Sequence, residues 1–182
     1  MEEPARTAVA ALLEELSLSV PGVRWARPDG VHLTLHFFGA LPVEQHAVAL
    51  EAAQETVAGV ASFPVGLARL GRFPPTGPAR VVWLGVGEGD PALGQLAARC
   101  RAAVASRGFE PERRPWRGHC TLGRPRGPLT AAAREALTAS AERTLPAFIA
   151  RRLVLFESHP APGGAHYLPL GAAELERSVP LS

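Results

Sequence analysis

The chain has 182 residues, 47% hydrophobic and 20% charged, with a formal net charge of +2, the make-up of a globular protein with an ample core. All 19 basic residues are arginine, which excludes a P-loop, since that needs its lysine, and a nucleotidyl transferase working through an adenylylated lysine. Two cysteines form no disulfide framework, and no apolar run approaches the roughly 20 residues of a membrane span.

The opening Met1-Glu2-Glu3-Pro4 has neither the basic nor the apolar region of a signal peptide, so a cytoplasmic protein without membrane attachment is expected. Residues 4–18 carry Ala, Leu and Val at helical spacing. A turn at Pro21-Gly22 and a short segment over 23–27 lead to a second turn, Pro28-Asp29-Gly30. Residues 31–39 read as a strand, 43–60 as a second helix, and 63–70 and 80–86 as two strands joined by a Gly/Pro-rich loop. A third helix covers 91–107, with Gly108 at the expected C-terminal cap. An Arg/Pro-rich loop then delivers a strand at 119–124. Residues 128–145 read as a helix entered at Thr130. Strands at 151–158 and 165–170 flank the turn 161–164 as a hairpin. Helices mixed with hairpins make an α+β fold.

Two of these strands carry the same tetrad, His32-Leu33-Thr34-Leu35 and His119-Cys120-Thr121-Leu122. Residues i and i+2 of a strand share a face. His32 therefore stands beside Thr34 and His119 beside Thr121, while Leu33, Leu35 and Phe37, and likewise Cys120 and Leu122, turn to the core. Two imidazoles can supply both proton transfers of phosphodiester cleavage, one as base and one as acid, near neutral pH. The two hydroxyls can donate to non-bridging phosphate oxygens, and an arginine adds a forked, charge-assisted contact. Arg124 follows the second tetrad, but with the wrong parity for the His119 face of a regular strand. It can serve only where the chain bends away.

The paired tetrads, the first followed by an aromatic and Gly39 and the second by Gly123-Arg124, resemble the signature of the 2H phosphoesterase superfamily. Within it they are most similar to the LigT-like RNA 2',3'-cyclic phosphodiesterases, formerly called 2'-5' RNA ligases. Trp25-Ala26-Arg27-Pro28, the 80–85 strand and the late Tyr167-x-Pro-Leu stretch fall where that family has similar segments. The resemblance implies a two-lobed fold of mixed and antiparallel sheets, pseudo-twofold about a central cleft, with all 182 residues in one bilobal domain. It implies metal-independent opening of a terminal 2',3'-cyclic phosphate to a 2'-phosphate. No cofactor is implied, and the substrates would be RNA ends or small nucleotides carrying that group. No obligate protein partner is implied either, so a monomer is expected. By motif position His32 resembles the general acid and His119 the base, with Thr34, Thr121 and Arg124 holding the phosphate. The pseudo-symmetry leaves the two histidines nearly interchangeable. Two departures stand out: the family opens on a short hydrophobic strand where this chain opens on a helix, and Gly118 replaces a proline, freeing the backbone.

Other residues carry weaker signals. Arg113 and Arg117 could draw in an RNA backbone, and Phe73, Trp116 and Tyr167 are candidate base-stacking surfaces. Against these stand a solvated loop, partly neutralised by Glu110 and Glu112, and ordinary buried aromatics. His36 shares the His32 face and reads as a strand-end residue at the cleft rim. A metal site joining His32, His36 and His119 is excluded, because i and i+4 on a strand lie about 13 Å apart. Ligation of RNA through a 2'-5' bond and non-catalytic RNA binding remain as other functions.

Overall fold

In the computed structural model, which describes residues 1–161 and 164–177, the chain folds as α1 (Glu3–Ser19), β1 (Val23–Trp25), α2 (His46–Val57), β2 (Phe63–Val65), β3 (Leu67–Phe73), β4 (Val81–Val86), α3 (Asp90–Ser106), β5 (His119–Pro125), α4 (Ala131–Ala139), β6 (Phe148–Ala150), β7 (Arg152–His159) and β8 (His166–Glu174). Short 3-10 turns at Pro28–Gly30 and Val43–Gln45 precede the first tetrad and α2.

Four strands make one antiparallel sheet in the order β1-β5-β4-β3, while β7 and β8 form a separate hairpin and β2 pairs with β6. The hydrophobic pattern decides which face each sheet covers. Cys120 and Leu122 of β5, with Leu84 of β4, are fully buried and meet Val9, Leu12 and Leu16 of α1 in the main core. α2 packs on α3, on β7 and on β8, where Ala53, Val57, Leu96 and Ala173 form a second cluster. The α+β class and the antiparallel hairpins expected from sequence are found.

Several boundaries moved, each for a physical reason. β3 runs on through Phe73 and pairs with Val81, so part of the expected 71–78 loop is strand. α4 does open on Thr130, whose hydroxyl accepts from the Ala133 amide at 3.1 Å, but it ends at Ala139 rather than 145. The residues beyond it are drawn away to β3, where the carbonyls of Ala141 and Arg143 accept from Leu70 and Arg69 at 2.8 and 2.7 Å. Arg69 takes φ 63 at that bulge. β6 was not foreseen. Gly108 does close α3, with φ 80, and of the expected 161–164 turn, residues 162 and 163 lie outside the described ones.

The largest difference concerns residues 31–39. They do not form a strand; their one ladder contact is an isolated antiparallel bridge from Leu33 to Cys120. The sheet edge is already taken by β1 as far as Gly123, and on the other side of residues 34–39 lies a groove rather than a partner strand. The facing of the side chains changes accordingly. Phe37, expected in the core, is 73% exposed, and Phe38 packs instead against Phe109 and the cluster around Cys100. The strand that the resemblance implies ahead of the first helix has no counterpart among the described residues.

Candidate active site

One backbone contact brings the tetrads together. Leu33 opposes Cys120 in antiparallel register, so the next residues outward are His32 across from Thr121 and Thr34 across from His119. Directly opposed residues share a face. Cys120 is fully buried and Leu33 packs on the same core, so both histidines and both threonines take the other face. His32 and His119 thus stand diagonally across the bridge from one another. All four residues line one groove of about 1460 Å³.

The rings are held alike. His32 Nδ1 lies 2.8 Å from the Gly30 carbonyl and His119 Nδ1 lies 2.7 Å from the Arg117 carbonyl, in each case two residues upstream. A carbonyl only accepts, so Nδ1 carries the proton and donates it, leaving Nε2 as the acceptor nitrogen of each neutral ring. These two carbonyls are the functional groups that sequence reading missed, since a backbone oxygen leaves no mark in residue type.

The turns carrying these carbonyls are themselves fixed. Arg27 donates from Nε and Nη2 to the Asp29 carboxylate, both at 3.2 Å, and holds that carboxyl below its ordinary value. The Gly30 amide donates to the Arg27 carbonyl at 2.9 Å. On the other side, a Cβ on Gly118 would come within 2.8 Å of the Trp116 ring and 2.9 Å of Asp90 Oδ1 and Val86. Gly118 is thus a point of close packing rather than one of backbone freedom. Trp116 Nε1 donates to the Thr34 carbonyl at 3.0 Å, tying the Arg/Pro-rich loop to the first tetrad.

Arg124 reaches the site by a route that the alternation rule hid. The β4–β5 register shifts between Val82 and Trp83, leaving an extra residue on β5, and Leu122 and Gly123 are buried in succession. A bulge of this kind changes the phase of a strand. Gly123 turns toward Val23 and Trp25, and Arg124 is exposed in the same groove as His119 and Thr121.

Aromatic rings flank each histidine. Tyr167 stands edge-on to His32 at 4.6 Å with Phe156 at 6.2 Å, and Phe73 stands edge-on to His119 at 5.2 Å with Trp83 at 6.5 Å. Phe73 and Tyr167 are therefore brought to the site. Trp116 is not an open stacking surface, being packed on the core. Arg113 pairs with Glu110 at 2.6 Å outside the groove, and Arg117 contributes through its carbonyl. His36 lines the same groove, half-buried and edge-on to Phe38, and burial lowers its pKa.

A sequence profile described as the 2'-5' RNA ligase superfamily matches residues 4–161. The chain belongs to that superfamily. Among its relatives there is an RNA 2',3'-cyclic phosphodiesterase of Geobacillus stearothermophilus, 34% identical over 120 residues, which are 66% of this chain and 38% of that protein. The chain thus spans well under half the length of that relative. One of the same description from Archaeoglobus fulgidus is 32% identical over 124 residues, 68% of each. Two solved structures share the fold. A protein of Thermus thermophilus superposes with a TM-score of 0.79 at 22% identity, covering 98% of this chain and 96% of its own. E. coli LigT complexed with 3'-AMP gives 0.72 at 24%, covering 96% and 94%.

Proposed function

We propose that the protein opens terminal 2',3'-cyclic phosphates of RNA to 2'-phosphates by two-histidine acid–base catalysis, without a metal. The observation that supports this is the Leu33–Cys120 bridge, beside which His32, Thr34, His119 and Thr121 all line one groove. The names of the relatives point the same way. His119 Nε2 takes a proton from water as its oxygen attacks phosphorus. The bond from phosphorus to the 3'-oxygen breaks in line with that attack, and the leaving oxygen takes the proton from His32 Nε2. Thr34 and Thr121 donate to the non-bridging oxygens, and Arg124 adds charge as the phosphorane forms. The site acts as a monomer in the cytoplasm with no bound cofactor.

RNA ending in a 2',3'-cyclic phosphate, incubated with the protein in EDTA, is expected to yield a 2'-phosphate end. Loss of turnover on chelation sinks the reading. His32→Ala and His119→Ala should each lower kcat by about 10² to 10⁴. A bell-shaped pH profile should lose one limb with each. The superfamily's description supports a second reading, in which a 5'-hydroxyl replaces water and closes a 2'-5' linkage. Linkage mapping of the products from paired RNA halves separates the two.

A further inference from the structure

β1 and β5 place Arg24 directly across from Arg124. Opposed residues of an antiparallel pair have Cβ atoms about 4.5–5.5 Å apart, and like charges there repel. Some other arginines have acidic neighbours: Arg152 opposes Glu174 across the β7–β8 ladder, and Arg27 is paired with Asp29 and Arg151 with Glu2. Among the described residues neither Arg24 nor Arg124 has a carboxylate partner. The flanking pair, Trp25 and Gly123, turns toward the core. Arg24 and Arg124 therefore project to the other face, both exposed and both lining the groove that holds the tetrads.

Two adjacent, unpaired guanidiniums on a sheet edge form a ready site for a phosphate, which each can meet with a forked pair of donors. The reacting group does not need both. A cyclic phosphodiester carries one negative charge and two non-bridging oxygens, and Thr34 and Thr121 already offer two donors. Arg24 lies one strand further from the tetrads than Arg124, on β1. We propose that Arg24 binds a second phosphate, the internal phosphodiester one nucleotide back from the RNA end, while its neighbour Arg124 stays with the reacting group. The preferred substrate is then an oligonucleotide rather than a lone nucleoside cyclic phosphate. This rests on the cyclic-phosphodiesterase reading for the placement of the end.

The test uses product-like ligands, so that binding is read without turnover. A nucleoside 2'-phosphate and a dinucleotide ending in a 2'-phosphate are titrated against the full chain, its Arg24→Gln variant and its Arg24→Lys variant, at several salt concentrations. The dinucleotide should lose about tenfold in affinity with Arg24→Gln, while the mononucleotide is unchanged and Arg24→Lys recovers part of the loss. Its log affinity against log salt should flatten by about 0.7, one single-strand phosphate contact. Equal losses on both ligands, or none on either, overturn the proposal. The ligand-free Arg24→Gln protein should melt at or above the wild-type temperature, since a repulsive contact is gone; a lower Tm makes Arg24 a structural residue and overturns it too. Absence of cyclic-phosphate hydrolysis sinks the functional reading but leaves this binding comparison intact.

Discussion

Gly71 lies flat beneath the indole of Trp83, so that a Cβ there would come within 2.1 Å of the ring. Trp83 in turn supports Phe73 at 5.2 Å, and Phe73 stands edge-on to His119. Gly71→Ala must push the indole out of its seat, an overpacking cost of about 1–3 kcal/mol. It should also lower kcat by loosening His119, which denaturant melts and rate assays would read together. His36 makes a second prediction at this scale. Its Nε2 is buried without a hydrogen-bond partner among the described residues, and desolvation depresses its pKa against a smaller opposing pull from Glu112. The unfolded chain therefore binds a proton more readily than the folded one, and stability increases with pH in that window. Full stability is present above about pH 6.5, the free histidine value, and declines as pH falls from there toward the depressed folded value. A Tm series from about pH 7.5 to about pH 5, spanning that free value, should show the decline, and His36→Leu should flatten it.

β5, which carries the second tetrad, is laddered on both sides by β1 and β4. Hydrogen exchange should divide the two tetrad segments, with the amides of 35–41 exchanging fast and those of Cys120 and Leu122 near the global limit. Trp116→Phe removes one hydrogen bond, worth about 1 kcal/mol. It should lower activity more than stability, because the carbonyl it frees belongs to Thr34. The same contrast explains what was legible beforehand. The tetrads, α1, α3 and the β7–β8 hairpin could be read because period and capping belong to the local sequence. The fate of 31–39 could not, since alternation says which way side chains point but not whether a neighbouring strand exists to pair with. Arg124 has the wrong parity by the same rule, which holds only until a bulge interrupts it, as it does at Leu122. The early end of α4 depended on hydrogen bonds to a bulge at Arg69, with β4, α3 and β5 lying between them in sequence.

Across the whole molecule, the two halves of the site are joined by the tetrads themselves. Leu33 packs into the core beneath β5, whereas Leu35, two residues on, touches both clusters around α2 and α3. Each half also contains one free cysteine, Cys120 under β5 and Cys100 on α3. Burial pushes the Cys120 thiol up to about 12, and burial raises Cys100 as well, against a smaller opposing pull from its bond with the Thr56 hydroxyl. Neither thiolate forms at neutral pH in the folded protein, so a disulfide reagent can reach them only through opening. This makes the pair a test of whether the chain is one cooperative unit. With Phe63 packed on both the main core and the Ala53–Val57 cluster, and Leu35 on that cluster and the one around Cys100, Cys100 and Cys120 should be labelled at the same rate across a urea series, in single-cysteine variants made with Ala at the other position. Labelling of Cys100 at lower urea than Cys120 would mean that the α2–α3 half opens alone. The first tetrad would then leave the second before the protein unfolds, and activity should vanish at the lower of the two midpoints.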